Sequence, residues 1–146
     1  MKWRNRGFTL IEMLVVLVII GLLAGLIGPR LFSEADKSKV KAAEVQIKML
    51  KGALQTLQLD YGRFPNNQEG LALLISPPSD PTLRTKWHGP YLDDTTVPLD
   101  PWGYAYHYQV PGANGQPFAL YSYGADNKPG GEGVDADIGF LPAQGG

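Results

Sequence analysis

The segment VKAAEVQIKMLKGALQTLQLDY, Val40 to Tyr61, carries the clearest periodicity in the chain. Val40, Ala43, Ile47, Leu50, Leu54, Leu57 and Tyr61 recur at alternating steps of three and four residues. That spacing puts them on one stripe of an α-helix, with Lys37, Lys39, Lys41, Glu44, Lys48 and Lys51 off the stripe. Gly62 and Pro65 predict the helix end.

Upstream, Phe8 to Gly28 is 21 residues with one charge, Glu12, and one hydroxyl, Thr9. As a helix it would span roughly 30 Å, the thickness of a bilayer core. Lys2, Arg4 and Arg6 precede it and put the N-terminus in the cytoplasm by the positive-inside rule. A secretory signal peptide has the same opening, but this run is long for one, lacks an A-x-A site and continues in helical pattern. The reading is therefore a membrane-spanning half and an amphipathic half, continuous or kinked at Pro29, reaching about 80 Å if unbroken. Gly21, Gly25 and Gly28 weaken the same region. Gly21 and Gly25 also form a small-x-x-x-small pair able to bring helices close in lipid.

Downstream the texture changes, because most of the 18 Gly and 12 Pro lie after Tyr61. Asn66 to Ser76 predicts a short helix capped by Asn66 or Asn67, with Leu71, Leu74 and Ile75 as its apolar face. Pro77 to Gly103 predicts a loop. Tyr104 to Val110 alternates, with Tyr104, Tyr106, Tyr108 and Val110 on one face, and Phe118 to Tyr123 predicts a second strand. Two strands alone are marginal, so this hairpin must pack on the amphipathic helix. The fold class is α+β.

Several function classes fall away. The formal net charge of −1 leaves no basic footprint for nucleic acid. With no cysteine, disulfides, thiolate metal sites and cysteine nucleophiles are excluded. No G-x-S-x-G, H-E-x-x-H or P-loop is present. His88 and His107 read as loop and strand residues, and Asp93-Asp94 as turn formers.

Two features remain. Asp126, Glu132, Asp135 and Asp137 crowd the glycine-rich segment Gly124 to Phe140. Their mutual repulsion would be relieved by a hard cation such as calcium, which takes oxygen ligands; the bland alternative is a solvated acidic loop. The segment is not an EF-hand, since Lys128 and Gly130 stand at ligand positions, and it holds a single copy of anything like a calcium nonapeptide. The other feature is Glu12, a carboxylate that costs about 3 kcal/mol at the centre of a bilayer and less near its edge. A cut between Gly7 and Phe8 would create an α-amine four residues away. Glu12 could then pair with the amine of a neighbouring copy, offsetting its burial and setting the register of an assembly. Such a cut lowers Lys+Arg from 13 to 10 against 14 Asp+Glu, a formal −4 that suits an exported domain.

The run Gly7-Phe8-Thr9-Leu10-Ile11-Glu12 after a basic leader resembles the class III signal of type IV pilins and pseudopilins. The segments DYGRFPNNQEGLALLI, VPLDPWGYAYHYQVPG and FALYSYGADNKPGGEGVDADIG resemble the major (G-type) pseudopilins of the type II secretion system. The resemblance implies a type IV pilin-like fold, with a long helix packed on a small antiparallel sheet and a C-terminal acidic loop. It implies residues 1–7 as a leader removed by prepilin peptidase at Gly7, methylation of the Phe8 amine, and Glu12 as the assembly glutamate. Residues 8–30 would be the transmembrane half and residues 31–146 a periplasmic domain. The expected partners are other copies, other pseudopilins and the inner-membrane secretion platform; no enzymatic activity is expected. It also implies calcium held by Asp126 and Asp137, with Asp135, the Tyr123 carbonyl and the Gly133 or Val134 carbonyl as further ligands and Glu132 left open. The ending GFLPAQGG departs from the family's Asn-Trp-rich ending. The expected function is a structural subunit of the periplasmic pseudopilus, exporting folded proteins across the outer membrane. The alternative is a subunit of a type IV pilus or a DNA-uptake pseudopilus.

Overall fold

The computed structural model describes residues 9–143. The processing residues Gly7 and Phe8, with the rest of the leader, lie outside the described residues. One helix assignment, α1, covers Leu10–Tyr61 and passes through Pro29. The chain divides after Asp36 into two compact units.

In the first unit, α1 starts at Thr9, whose Oγ1 accepts a hydrogen bond from the Glu12 N–H at 3.2 Å. This is an N-cap, and Glu12 sits in the first turn, where the helix dipole favours a carboxylate. The large apolar side chains from Leu10 to Leu31 are exposed. Among the described residues, α1 is the one helix long and apolar enough to cross a membrane.

In the second unit the predicted stripe is the core. Ala43, Ile47, Leu50, Leu54, Leu57 and Tyr61 are buried, and Val40 packs against them half-covered. The helix stops where expected. Gly62 takes φ 90° while its N–H still bonds the Gln58 carbonyl at 2.8 Å, a conformation open to glycine at little cost.

The covering layer is a three-stranded antiparallel sheet in the order β1 (His107–Gln109), β2 (Ala119–Ser122), β3 (Ile138–Phe140). The expected hairpin is therefore one strand short: β3, inside the acidic segment, completes the sheet. Central β2 is buried at every residue. In the alternating segment, Tyr106 is buried and Tyr108 and Val110 pack against the core. Tyr104 does not join them; it is 38% exposed and precedes β1 in a turn.

The segment after Pro65 also differs in detail. Neither Asn66 nor Asn67 caps the helical turn, which starts from Glu69 without a side-chain cap; Asn66 closes the turn ahead of it, its Oδ1 accepting from the Gln68 and Glu69 N–H groups, while Glu69 Oε1 accepts from the Asn66 N–H. The turn that follows is 3₁₀, Gly70–Leu74, and its tighter pitch buries Leu73 beside Leu71 and Leu74, leaving Ile75 half-covered. Asn67 instead clamps Val110, accepting from its N–H at 2.8 Å and donating to its carbonyl at 3.1 Å. The predicted loop holds a four-residue helix, α2 (Pro81–Arg84), capped by Asp80.

Candidate functional site

Two regions carry the chemistry singled out by sequence. Glu12 stands exposed on α1 among exposed apolar neighbours. Thr9 positions it at the helix start, so its carboxylate has a local reason to be there.

The acidic loop runs between β2 and β3 and is closed by its own hydrogen bonds. The Ala125 N–H bonds the Val134 carbonyl at 3.0 Å, and Gly133–Asp135 forms a 3₁₀ turn in which the Gly133 carbonyl accepts from the Ala136 N–H. Asp126 is exposed and accepts from the Lys128 N–H at 3.1 Å. Asp137 is half-buried, and both its oxygens accept from the Gly130 N–H, at 3.1 and 3.0 Å. Asp135 is half-buried and Glu132 exposed. At the mouth of the loop Gly124 adopts φ 79°, and a side chain there would meet the Ala136 and Val134 carbonyls at 2.8 Å.

The donors are chemically right for calcium but are not gathered. Among the described residues no three acidic or histidine side chains converge as a ligand set. Asp126 Oδ1 and both oxygens of Asp137 accept from backbone N–H groups of the loop itself.

Tyr123, the expected carbonyl donor, lies half-buried in an aromatic cluster. Its ring is 4.5 Å from His107 and 5.2 Å from Tyr121, and His107 stacks on Tyr121 at 5.2 Å. Burial first, then the hydrogen bond and charge of Tyr123 and the charge of Asp137, push the Tyr121 hydroxyl up to about 12.

Sequence reasoning passed over Asp100. It is buried, 4% exposed, and its Oδ1 accepts from the Trp102 N–H at 3.1 Å and the Tyr104 N–H at 2.8 Å. Its Oδ2 accepts from the Ser122 hydroxyl at 2.8 Å, and that hydroxyl in turn accepts from the Gly124 N–H at 3.1 Å. The carboxylate thus ties the turn after Leu99 to β2 and to the mouth of the acidic loop. The signal was present in Asp-Pro-Trp-Gly, since Asp is favoured where its side chain can bond the backbone two residues on.

Comparison with known proteins places these features. The family model described as "Type II secretion system (T2SS), protein G" matches residues 30–140. A second, "Prokaryotic N-terminal methylation motif", matches residues 4–28. The type II secretion system core protein G of Pseudomonas aeruginosa is 46% identical over 137 residues, covering 93% of this chain and 94% of that protein. Its counterpart in Vibrio cholerae is 38% identical over 136 residues, covering 93% and 91%. Among solved structures, the major pseudopilin from the type 2 secretion system of enterohaemorrhagic Escherichia coli is similar, with a TM-score of 0.59 and 29% identity, covering 76% of this chain and 93% of that one. With its methylation motif, its long N-terminal helix and its small antiparallel sheet, the chain belongs to the type II secretion system protein G family, the major pseudopilins.

Proposed function

We propose that the chain is a structural subunit that polymerises into the pseudopilus of the type II secretion system and acts there in the export of folded proteins across the outer membrane. It works by assembly and displacement, not by catalysis. The observation that carries this reading is Glu12: a carboxylate at the start of an exposed apolar helix, four residues beyond Phe8 and inside the stretch that the methylation-motif model matches. Prepilin peptidase removes residues 1–7, the α-amine of Phe8 is released and methylated, and Glu12 pairs with the Phe8 amine of a neighbouring copy. The apolar half of α1 anchors the subunit in the inner membrane, and the folded unit lies in the periplasm. Other pseudopilins and the inner-membrane platform are the remaining partners.

Glu12→Gln and Glu12→Ala test it. Gln keeps a side chain able to serve the helix start and loses only the charge, so it separates pairing from local capping. Both variants are expected to reach the membrane at parent levels and to fail to form filaments. Filaments from Glu12→Gln at parent yield would contradict the pairing.

Calcium in the acidic loop is the second part of the proposal. It is supported by four acidic side chains within a dozen residues and by a glycine-rich backbone that can turn its carbonyls. Binding would gather Asp126, Asp135 and Asp137, with the carbonyls of Tyr123, Gly133 or Val134, around the ion, in competition with the Lys128 and Gly130 N–H groups for the Asp126 and Asp137 oxygens. Melting of the full chain in detergent is expected to rise with calcium, by about 2.7 kcal/mol of stability at a hundredfold excess over Kd. Asp137→Ala is expected to abolish that rise. An identical melting temperature with calcium and with chelator would remove calcium from the account.

A further inference from the structure

An asparagine side chain loses its amide when the main-chain nitrogen of the next residue reaches its Cγ. That nitrogen must be uncrowded and free of hydrogen bonds. Asn66, Asn67, Asn114 and Asn127 lie within the described residues, and the fold treats them differently. Asn66 Oδ1 is held by the Gln68 and Glu69 N–H groups at 3.0 and 2.7 Å. Asn67 has its amide clamped on both sides by Val110, and the nitrogen that would attack it, at Gln68, donates to Asn66. Asn127 is followed by Lys128, whose N–H donates to Asp126 Oδ1 at 3.1 Å and whose Cβ crowds the approach.

Asn114 has none of this protection. Gly115 follows it and has no Cβ to crowd the nitrogen. Among the described residues neither the Gly115 N–H nor the Asn114 side chain makes a hydrogen bond. Both residues are exposed at the tip of the β1–β2 hairpin. They are the central pair of a two-residue turn, with φ 52° at Asn114 and 79° at Gly115, closed by the Gln116 N–H on the Ala113 carbonyl at 2.9 Å. This is the type I′ pattern that Asn-Gly favours. One further bond, the Gly112 N–H on the Gln116 carbonyl at 3.0 Å, holds the neck of the tip. Exposed tips held by so few bonds open locally at low cost. Opening lets the Asn114–Gly115 peptide rotate and bring its nitrogen onto Cγ, so the closed turn slows the attack without barring it.

We propose that Asn114 is a site of spontaneous deamidation, with water as the co-reactant. The Gly115 nitrogen attacks Asn114 Cγ. The N–Cγ bond forms, the Cγ–Nδ2 bond breaks, and ammonia leaves with the proton that the nitrogen gives up. Water then opens the five-membered imide. Opening at the side-chain carbonyl gives aspartate, and opening at the main-chain carbonyl gives isoaspartate. Water enters, ammonia leaves, nothing is oxidised or reduced, and the formal charge of −1 gains one negative unit. Aspartate keeps the turn, since Asp-Gly suits the same geometry. Isoaspartate adds a methylene to the main chain, and the neck has no slack for it: even a Cβ at Gly112 would strike the Phe118 carbonyl. The tip must then open, and with it the groove that Asn114 and Gln116 line together with Phe140 and Leu141. Ammonia does not return, so the change marks the age of a folded subunit. The inference is independent of both polymerisation and calcium.

The test incubates the full chain in detergent at neutral and mildly alkaline pH. Fragment masses locate each one-dalton gain, and isoaspartyl methyltransferase labels the isoaspartate. The gain is expected first at Asn114, about tenfold ahead of Asn66, Asn67 and Asn127, which corresponds to about 1.4 kcal/mol of barrier. Its rate should rise in proportion to hydroxide, and the label should fall on the same residue. A first gain at any other asparagine would overturn the site. So would a folded chain that stays unchanged while the same chain in urea gains at Asn114, because the closed turn would then bar the reaction. Asn114→Asp carries the charge from the start. It is expected to melt like the fresh parent, with aged parent enriched in isoaspartate melting lower. Aged parent melting with Asn114→Asp would overturn the opened tip.

Discussion

Removing the Asp100 carboxylate would strand three donors: the Trp102 and Tyr104 N–H groups and the Ser122 hydroxyl. A buried donor left without a partner costs more than a hydrogen bond contributes when both groups are present. Asp100→Ala is therefore expected to destabilise the folded unit by about 3 kcal/mol. Because Ser122 also receives the Gly124 N–H, amide exchange at Gly124 should accelerate with it. Asp100→Asn, which keeps an oxygen for the two N–H groups, should lose less. A melting temperature unchanged in Asp100→Ala would show that the turn after Leu99 holds itself. The residue scale was the least legible in sequence. Asp100 reads as one turn former among many until the fold brings Ser122 to it, and that contact spans 22 positions. The Asn67 clamp on Val110, across 43 positions, was hidden for the same reason.

At the scale of elements, the α1 core stripe was the most legible, because 22 residues of sustained period leave one helical solution. Its energetics follow from burial. Leu54 is fully buried, and Leu59, five residues on, is 84% exposed. Leu54→Ala is expected to cost about 2–5 kcal/mol, and Leu59→Ala less than about 0.5 kcal/mol in the same melting experiment. Equal effects would mean the stripe had been assigned to the wrong face. The short elements were harder. Strand β3 has three residues with a glycine at its centre and an acidic segment before it, so it carries no alternation to read. Tyr104 fitted the period of its neighbours, but the Asp100 turn, in which the Tyr104 carbonyl accepts the Asp100 N–H at 2.7 Å, holds it outside the strand. The 3₁₀ turn at Gly70–Leu74 changed which leucines face inward, since three residues per turn bring Leu71 and Leu74 into line and let Leu73 share the burial.

The whole molecule joins two kinds of surface. The folded unit buries its apolar stripe under the sheet, whereas in the first unit the large apolar side chains from Leu10 to Leu31 are exposed. Such a surface demands a lipid or protein environment, and a subunit that passes from membrane to filament meets both. The apolar helix was legible in sequence because lipid imposes a simple rule of length and polarity. The acidic loop was legible as composition only: the sequence shows four carboxylates, while the structure shows two of them occupied by N–H groups of their own loop. The most direct measurement is to express the full-length chain with its secretion machinery, isolate filaments from the opened cell envelope and determine the N-terminus of the filament subunit by mass spectrometry. The account predicts filaments built of chains that begin at a methylated Phe8. Chains that still begin at Met1, or that never leave the membrane as a polymer, would contradict it.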